Sequence, residues 1–307
     1  MIKILAADGI EKSAAEKLGA LGFEVTEQHF EPEELKEQIK DYDALVVRSA
    51  TKVREPIIDA ALEAGRLKLI IRGGVGTDNI DVAYAKERGI DVRNTPNASS
   101  NSVAEMAVTH MFCMARHIAE AQVSMHNGAW EKKKYEGSEL AGKTLGLIGM
   151  GRIGKLTAQK AAALGMTVVY TNRSGHKPEN EPSQYVDLNT LLATADYISL
   201  HMPKAPEAVI TAAEIARMKD GVFIVNTARG ALIDTDDLLS ALESGKVAAA
   251  AMDVFTEEPP QDERLAACPK LSLTPHIGAS TVEAQERIGL EIISHITDVF
   301  GGAPGGA

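Results

Sequence analysis

Thr144–Gly154 reads TLGLIGMGRIG, an apolar run that closes on Gly149-Met150-Gly151-Arg152-Ile153-Gly154. The β-forming residues before the glycines predict a buried strand, and Lys155–Leu164 after them a helix. Each glycine then has its own task. Gly149 permits the strand-to-helix turn, Gly151 admits the close approach of a pyrophosphate, and Gly154 lets the helix pack against the strand. The helix N-terminus meets the anion with its unpaired N–H groups. Such a turn alone arises by chance; between a strand and a helix it predicts dinucleotide binding.

Downstream, strands are predicted at Thr167–Thr171, Tyr197–Leu200, Val222–Thr227, Ala248–Val254 and Leu271–Leu273, with helices at Leu188–Ala193, Ala213–Arg217 and Asp236–Ser244. Together with Thr144–Gly149 these are six strands, which suits a Rossmann sheet. Upstream, residues 3–7 form a strand and Glu11–Leu21 a helix that Gly22 stops. Short β-like runs follow at Phe23–Thr26, Ala44–Arg48, Lys68–Arg72 and Ile90–Arg93, separated by helices at Pro32–Ile39, Pro56–Ala64 and Val82–Arg88. This alternation predicts an α/β fold of two doubly wound parallel-sheet domains. The polar stretch Asn97–Asn101 marks the crossing, and one long helix is expected over Val103–Met125 with Asn101 or Ser102 as N-cap. A last helix, Val282–Phe300, is long enough to return to the first domain, which sets the domains at 1–99 plus 283–307 and at 100–282. GGAPGGA (301–307) has nothing to bury and is expected to fray.

A chain of 307 residues accommodates both domains, and 45% hydrophobic with 24% charged residues is ordinary for a soluble protein. Aromatics at 4% predict aliphatic cores. A formal charge of −11 argues against a nucleic-acid surface and against an anionic membrane, so an anionic ligand needs a local basic pocket. Cys113 and Cys268 match no metal or redox spacing and are expected as buried thiols in a reducing cytosol; no metal is expected. The N-terminus, MIKILAADGIEK, lacks a signal-peptide layout, and no apolar run approaches the ~18 residues of a membrane span. A cytoplasmic protein is expected.

Three further features join GMGRIG: GGVGTDNID (Gly73–Asp81), NTARG (Asn226–Gly230), and TPHIGAST (Thr274–Thr281) preceded by DVFTEEP (Asp253–Pro259). With them the chain resembles the D-2-hydroxyacid dehydrogenase family along nearly its whole length. Ser124–Leu140 is similar to the corresponding region of the D-3-phosphoglycerate dehydrogenases within it. The resemblance implies that residues 1 to about 100 and the last helix form a smaller, flavodoxin-like substrate domain. The remainder is the coenzyme domain, and the active site is in the cleft. It also implies a homodimer. Because the chain ends straight after the helix, a short form without the C-terminal regulatory domain is expected, and with it no serine feedback.

Hydride transfer to or from a 2-hydroxy acid needs a proton carrier, a charge holder and a carboxylate clamp. The resemblance makes His276 the acid/base; read alone, a His after a proline is an ordinary loop residue. Spacing cannot choose between Glu257 and Glu258 as its partner, and the family motif places the role on Glu258, before the proline. Arg229 follows the buried strand VFIVNTA, where α/β sheets present ligand-facing groups; it either grips the substrate carboxylate or makes an interdomain salt bridge. The Gly74-Val75-Gly76 backbone can turn N–H groups toward a carboxylate, or serve simply as a turn. Arg48 and Arg72 end equivalent strands and are either surface ion pairs or a local site for a phosphorylated substrate. Lys132 falls where relatives send an arginine from a neighbouring subunit toward phosphate, and equally fits the solvated run Glu131–Lys134.

On the coenzyme side, Gly149, Gly151, Arg152, Ile153 and Gly154 form the pyrophosphate turn, and Asp253 ends AAAAMDV as a turn former or as a holder of the nicotinamide carboxamide. The resemblance adds His201, Pro203, Thr227, Ala228 and Gly278. An NAD-specific fold carries an acidic residue about 20 positions beyond the glycines. Here stand Asn172, Arg173 and Ser174, which predict that NADP(H) is accepted against the NAD(H) habit of phosphoglycerate dehydrogenases, unless Arg173 points to solvent and Asn172 still bonds the ribose. The leading expectation is oxidation of 3-phosphoglycerate to 3-phosphohydroxypyruvate, toward serine. The nearest rival is an NADPH-dependent glyoxylate or hydroxypyruvate reductase. A rival of another class is a dinucleotide-sensing corepressor, which an absorbance assay of hydride transfer distinguishes.

Overall fold

The computed structural model describes residues 1–301. Apart from Gly301, the GGAPGGA stretch expected to fray lies outside the described residues. The chain divides into two compact units, Met1–Ser99 with the chain from Ala279 onward, and Ser100–Gly278.

The first unit carries β1 (Lys3–Ala6), α1 (Lys12–Ala20), β2 (Glu24–Glu27), α2 (Pro32–Gln38), β3 (Ala44–Val47), α3 (Glu55–Ala64), β4 (Leu69–Arg72), α4 (Val82–Glu87) and β5 (Asp91–Asn94). Its five strands are all parallel, in the order β2-β1-β3-β4-β5, the doubly wound order of flavodoxin-like sheets. Strands such as ALVV are buried along their whole length because helices cover both faces. One face packs Leu45, Val47 and Ile70 against Leu35, Ile57 and Ile58.

The second unit contains α5 (Ser100–Arg116), α6 (Ile118–His126), β6 (Thr144–Ile148), α7 (Arg152–Ala163), β7 (Thr167–Thr171), β8 (Gln184–Tyr185), α8 (Leu188–Thr194), β9 (Tyr197–Leu200), α9 (Ala212–Arg217), β10 (Val222–Asn226), α10 (Thr235–Ser244), β11 (Val247–Met252), α11 (Glu263–Ala267) and β12 (Leu271–Leu273). The seven parallel strands run β12-β11-β10-β9-β6-β7-β8, a Rossmann sheet whose winding reverses between β6 and β9. Helices α8, α9 and α10 bury one face through Leu191, Ile215 and Leu242, and α5 and α7 the other through Met111 and Ala161. The chain then enters α12 (Val282–Phe300), whose Ile288, Ile292 and Ile296 pack with Ile4, Leu18 and Ile71 of the first unit. Among the described residues no helix is long and apolar enough to cross a membrane.

The structure departs from expectation in five places. The helix expected over Val103–Met125 is two helices, separated at His117, which has φ 52°. The cause is tertiary: the Ser138 N–H donates to the Ala115 carbonyl at 2.9 Å and takes an acceptor that continued α-helix would use. Helix α5 also begins before its expected N-cap, at Ser100, with Asn101 inside the first turn and bonded to Glu105. The coenzyme sheet has a seventh strand, β8, a two-residue edge too short to show alternation in sequence. Both cysteines are only half-buried, and burial pushes the Cys113 thiol up. The second unit ends at Gly278 rather than 282, because Ala279–Thr281 belongs to the start of α12: Thr281 accepts from Ala284 N–H, and Gln285 donates to the Ala279 carbonyl.

Candidate active site

The predicted strand, glycine turn and helix are β6, Gly149–Gly151 and α7. Gly149 has φ +105°, and a Cβ there would lie 2.3 Å from the His201 carbonyl oxygen, so only glycine lets the ends of β6 and β9 come together. A Cβ on Gly151 would meet nothing within 4 Å, which leaves open space at the N-terminus of α7. At the end of β10 the Thr227 hydroxyl is buried and has no hydrogen-bond partner among the described residues. An open cradle at a helix N-terminus and an unsatisfied buried hydroxyl fit a bound pyrophosphate-containing coenzyme. Arg152, Arg173 and Ser174 are exposed, Ile153 and Asn172 are half-buried, and the Ser174 hydroxyl donates to Asn172 at 3.4 Å. Pro203 is exposed and Ala228 buried.

His201 Nε2 lies 2.9 Å from Ser199 Oγ, and burial pushes this imidazole down from the ordinary 6.5 to about 4. The folded chain resists protonation there until about pH 4, whereas the unfolded chain takes up the proton near 6.5. The stability contribution is therefore complete above pH 6.5 and is lost as pH falls toward 4. Thermal midpoints followed across that window should fall less steeply for His201→Gln than for the parent. Equal slopes would mean that His201 titrates alike in both states.

The predicted catalytic side chains come from the ends of β10, β11 and β12, and the second unit alone brings them together. His276 Nδ1 lies 2.7 Å from Glu258 Oε2, and Glu258 Oε1 accepts the Phe255 N–H at 3.1 Å. Burial pushes the Glu258 carboxyl up. The His276 hydrogen bond and charge, the Phe255 N–H and the charge of Arg229 outweigh it and hold the carboxyl below its ordinary range. His276 has φ 54°, a backbone that costs a non-glycine residue about 1–2 kcal/mol. Its turn is held by Asp253, which is 1% exposed: the carboxylate accepts from Thr274 Oγ1 at 2.6 Å, from Ile277 N–H at 2.8 Å and from Gly278 N–H at 2.8 Å. Glu257 is exposed.

Arg229 is half-buried, and its Nη1 donates to the Ala228 carbonyl at 2.5 Å. Asn226 sets this turn. It is fully buried, accepts the Ala228 N–H at 3.1 Å and donates to the Arg229 carbonyl at 2.9 Å. A Cβ on Gly230 would lie 2.0 Å from the Phe255 carbonyl carbon, so glycine is required where the Arg229 turn meets the loop carrying Glu258. Asn226 is not among the site residues expected from sequence, although an Asn closing an apolar strand just before a turn is a recognisable signal.

In the first unit, Arg48 and Arg72 stand at the ends of neighbouring strands β3 and β4 and are half-buried. The loop after β3 is clamped: Asp8 accepts from Arg48 N–H and from the Thr51 hydroxyl, and Asn79 donates to the Arg48 and Thr51 carbonyls. Among the described residues the Arg48 guanidinium makes no ion pair or hydrogen bond. The Arg72 guanidinium folds over Gly74, where a Cβ would lie 1.1 Å from Nη1, and it donates to the Gly73 carbonyl. The following turn is braced by Asn94, which donates to the Val75 carbonyl at 2.5 Å. Gly76 is half-buried, and Lys132 is exposed in the short 3-10 turn Lys132–Tyr135 of the second unit.

A sequence model described as the NAD binding domain of D-isomer specific 2-hydroxyacid dehydrogenase matches residues 108–278. The chain belongs to this family. This 2-hydroxyacid dehydrogenase is 50% identical over 301 residues to hydroxypyruvate reductase of Thermotoga maritima, covering 96% of this chain and 97% of that one. It is 44% identical over 312 residues to D-3-phosphoglycerate dehydrogenase of Methanocaldococcus jannaschii, covering 98% of this chain but 58% of that longer one. The structure of a glyoxylate reductase from Paecilomyes thermophila superposes with a TM-score of 0.88 at 35% identity, covering 98% of this chain and 96% of the other. The reaction class follows: a hydride passes between a nicotinamide dinucleotide and a 2-hydroxy acid.

Proposed function

We propose that this dehydrogenase reduces hydroxypyruvate to glycerate, with NADP(H) accepted. The observation that carries the substrate is the 50% identity to a hydroxypyruvate reductase over nearly the full length of both chains. On this ground hydroxypyruvate, the rival expectation from sequence, is placed ahead of 3-phosphoglycerate. The Asn172-Arg173-Ser174 sequence after β7 supports the coenzyme: no carboxylate opposes a 2′-phosphate, and Arg173 and Ser174 supply a cation and a hydroxyl.

In this reading His276 is the acid. With Nδ1 held by Glu258, the imidazole keeps Nε2 for the substrate and gives its proton to the C2 carbonyl oxygen as the hydride reaches C2. When bound, the nicotinamide supplies that hydride. Glu258 remains ionised and stabilises the imidazolium before transfer. The Arg229 fork binds the substrate carboxylate and polarises the C2 oxygen. Gly149, Gly151, Arg152, Ile153 and Gly154 would hold the pyrophosphate, with His201, Pro203, Thr227, Ala228, Asp253 and Gly278 along the rest of the coenzyme.

A second reading, 3-phosphoglycerate oxidation, is favoured by one feature. The Arg48 guanidinium has no protein partner among the described residues and lies one strand away from Arg72, an arrangement suited to a second anion. In both readings the Gly74-Val75-Gly76 backbone meets the substrate carboxylate; only in the second do Arg48, Arg72 and Lys132 bind a phosphate, which a non-phosphorylated substrate does not need. A homodimer is supported by apolar side chains left open around α6, with Val123 61%, Met125 55% and Trp130 79% exposed.

Steady-state kinetics with hydroxypyruvate, glyoxylate, 3-phosphohydroxypyruvate and 3-phosphoglycerate, each with both coenzymes, test these assignments. The expected result is the highest kcat/KM on hydroxypyruvate, with NADPH at least equal to NADH. Preference for a phosphorylated substrate selects the second reading, and kcat/KM for NADH far above that for NADPH removes the coenzyme assignment. Light scattering on the same preparation should give twice the 32.7 kDa chain mass; the single-chain mass would exclude the dimer.

A further inference from the structure

A buried histidine that no step of the reaction uses lies under the His276 turn. His110, on α5, is 2% exposed. Its Nδ1 is 3.1 Å from Ser272 Oγ and its Nε2 3.1 Å from Thr274 Oγ1, so the ring spans two hydroxyls on the segment leading to His276.

The direction of these bonds follows from counting hydrogens. Thr274 has one hydroxyl hydrogen, and at 2.6 Å it points to the Asp253 carboxylate, which can only accept. Thr274 Oγ1 must therefore accept from His110, so Nε2 carries the hydrogen. In the neutral ring Nδ1 is then the acceptor, and Ser272 donates to it. Burial pushes the imidazole down, against the charge of Asp253, which agrees with a neutral ring. The chain is thus directional: Ser272 to His110, His110 to Thr274, Thr274 to Asp253.

Asp253 is the last link before the chemistry. Its two oxygens also take the Ile277 and Gly278 N–H groups, the two amides immediately after His276. Helix α5 braces the same turn a second time, because Ser102 Oγ donates to the Gly278 carbonyl at 2.6 Å. A left-handed residue persists only where its surroundings over-determine it, and these bonds do so.

We propose that His110 is a positioning residue of the reaction: it fixes the Thr274 hydroxyl on Asp253, and Asp253 then holds the turn that presents His276. This rests on His276 being the proton carrier. His110 touches no substrate, and its effect reaches the reaction as the orientation of the His276 ring.

The test compares two amides of different reach. His110→Gln places an N–H near the position of Nε2 and can still donate to Thr274; His110→Asn reaches only the position of Nδ1. A misplacement of this kind lowers turnover by about ten- to a hundredfold. The asparagine variant should lose kcat on that scale, while the dissociation constant for NADPH, read by fluorescence, changes by less than about twofold. The glutamine variant should recover most of the loss, and Thr274→Val should match the asparagine variant and add little to it in the double variant, since both break one chain. Parental kcat in His110→Asn, or equal losses in the glutamine and asparagine variants, would overturn the proposal. His276→Ala run beside them separates the two layers. If it keeps turnover, the assignment of His276 fails. If it loses turnover while His110→Asn and Thr274→Val do not, only the positioning role fails.

Discussion

His276→Ala is expected to reduce kcat by about 10²–10⁴-fold in either direction, the range that a positioned general acid or base contributes. The loss is specific to proton transfer. The glycine turn after β6 and the open space at the N-terminus of α7 belong to other strands, so the dissociation constant for NADPH should change little. The backbone requires a control, because alanine at φ 54° bears a strain of about 1–2 kcal/mol. Asparagine accepts left-handed backbone more readily, so His276→Asn separates loss of the proton from loss of the turn. Both variants should be equally slow in single-turnover absorbance measurements of coenzyme oxidation. Activity kept by either would move the acid to another group.

Arg229→Lys should lower kcat/KM by about 10²–10³-fold, the cost of removing one well-placed donor to developing charge. Lysine keeps the positive charge that helps to hold the Glu258 carboxyl down, so the field on the acid pair survives. It lacks the planar fork that can grip a carboxylate and the C2 oxygen together. The pH dependence of kcat/KM should therefore keep its shape while its height falls. The turn itself should persist, because Asn226 holds it through the backbone N–H of Ala228 and the carbonyl of Arg229. A lysine variant with parental kcat/KM would show that Arg229 serves by charge alone.

These two predictions concern residues that the sequence singles out by position. Strand-end positions stand out because an apolar run stops abruptly at a polar residue, as VFIVN does before Arg229 and AAAAM before Asp253. The choice of Glu258 over Glu257 did not follow from spacing; the motif placed it, and the distance of 2.7 Å to His276 joins the pair. Asn226, Thr274 and His110 went unread for different reasons. Asn226 was legible as a turn former. Thr274 and His110 are 164 positions apart, and nothing local links a polar residue on an apolar helix to the strand it meets.

Local pattern was enough for the alternation of strands and helices, for the parallel sheets that it requires, and for the glycine turn. Each of these depends on residues only a few positions apart, where periodicity and backbone freedom act directly. Contacts between distant segments decided the rest. The Ser138 N–H ends α5 by taking the Ala115 carbonyl, and β8 exists only because β7 offers an edge to a two-residue segment. Asp253, from the end of β11, gathers the Thr274 hydroxyl and two amides into the turn that aims His276. Hydrogen bonds of this kind fix direction to a few tenths of an ångström, whereas sequence pattern specifies only which face of an element is apolar. The residues proposed for the chemistry were therefore named from the chain, and the bonds that hold them in place were decided by the packed sheet.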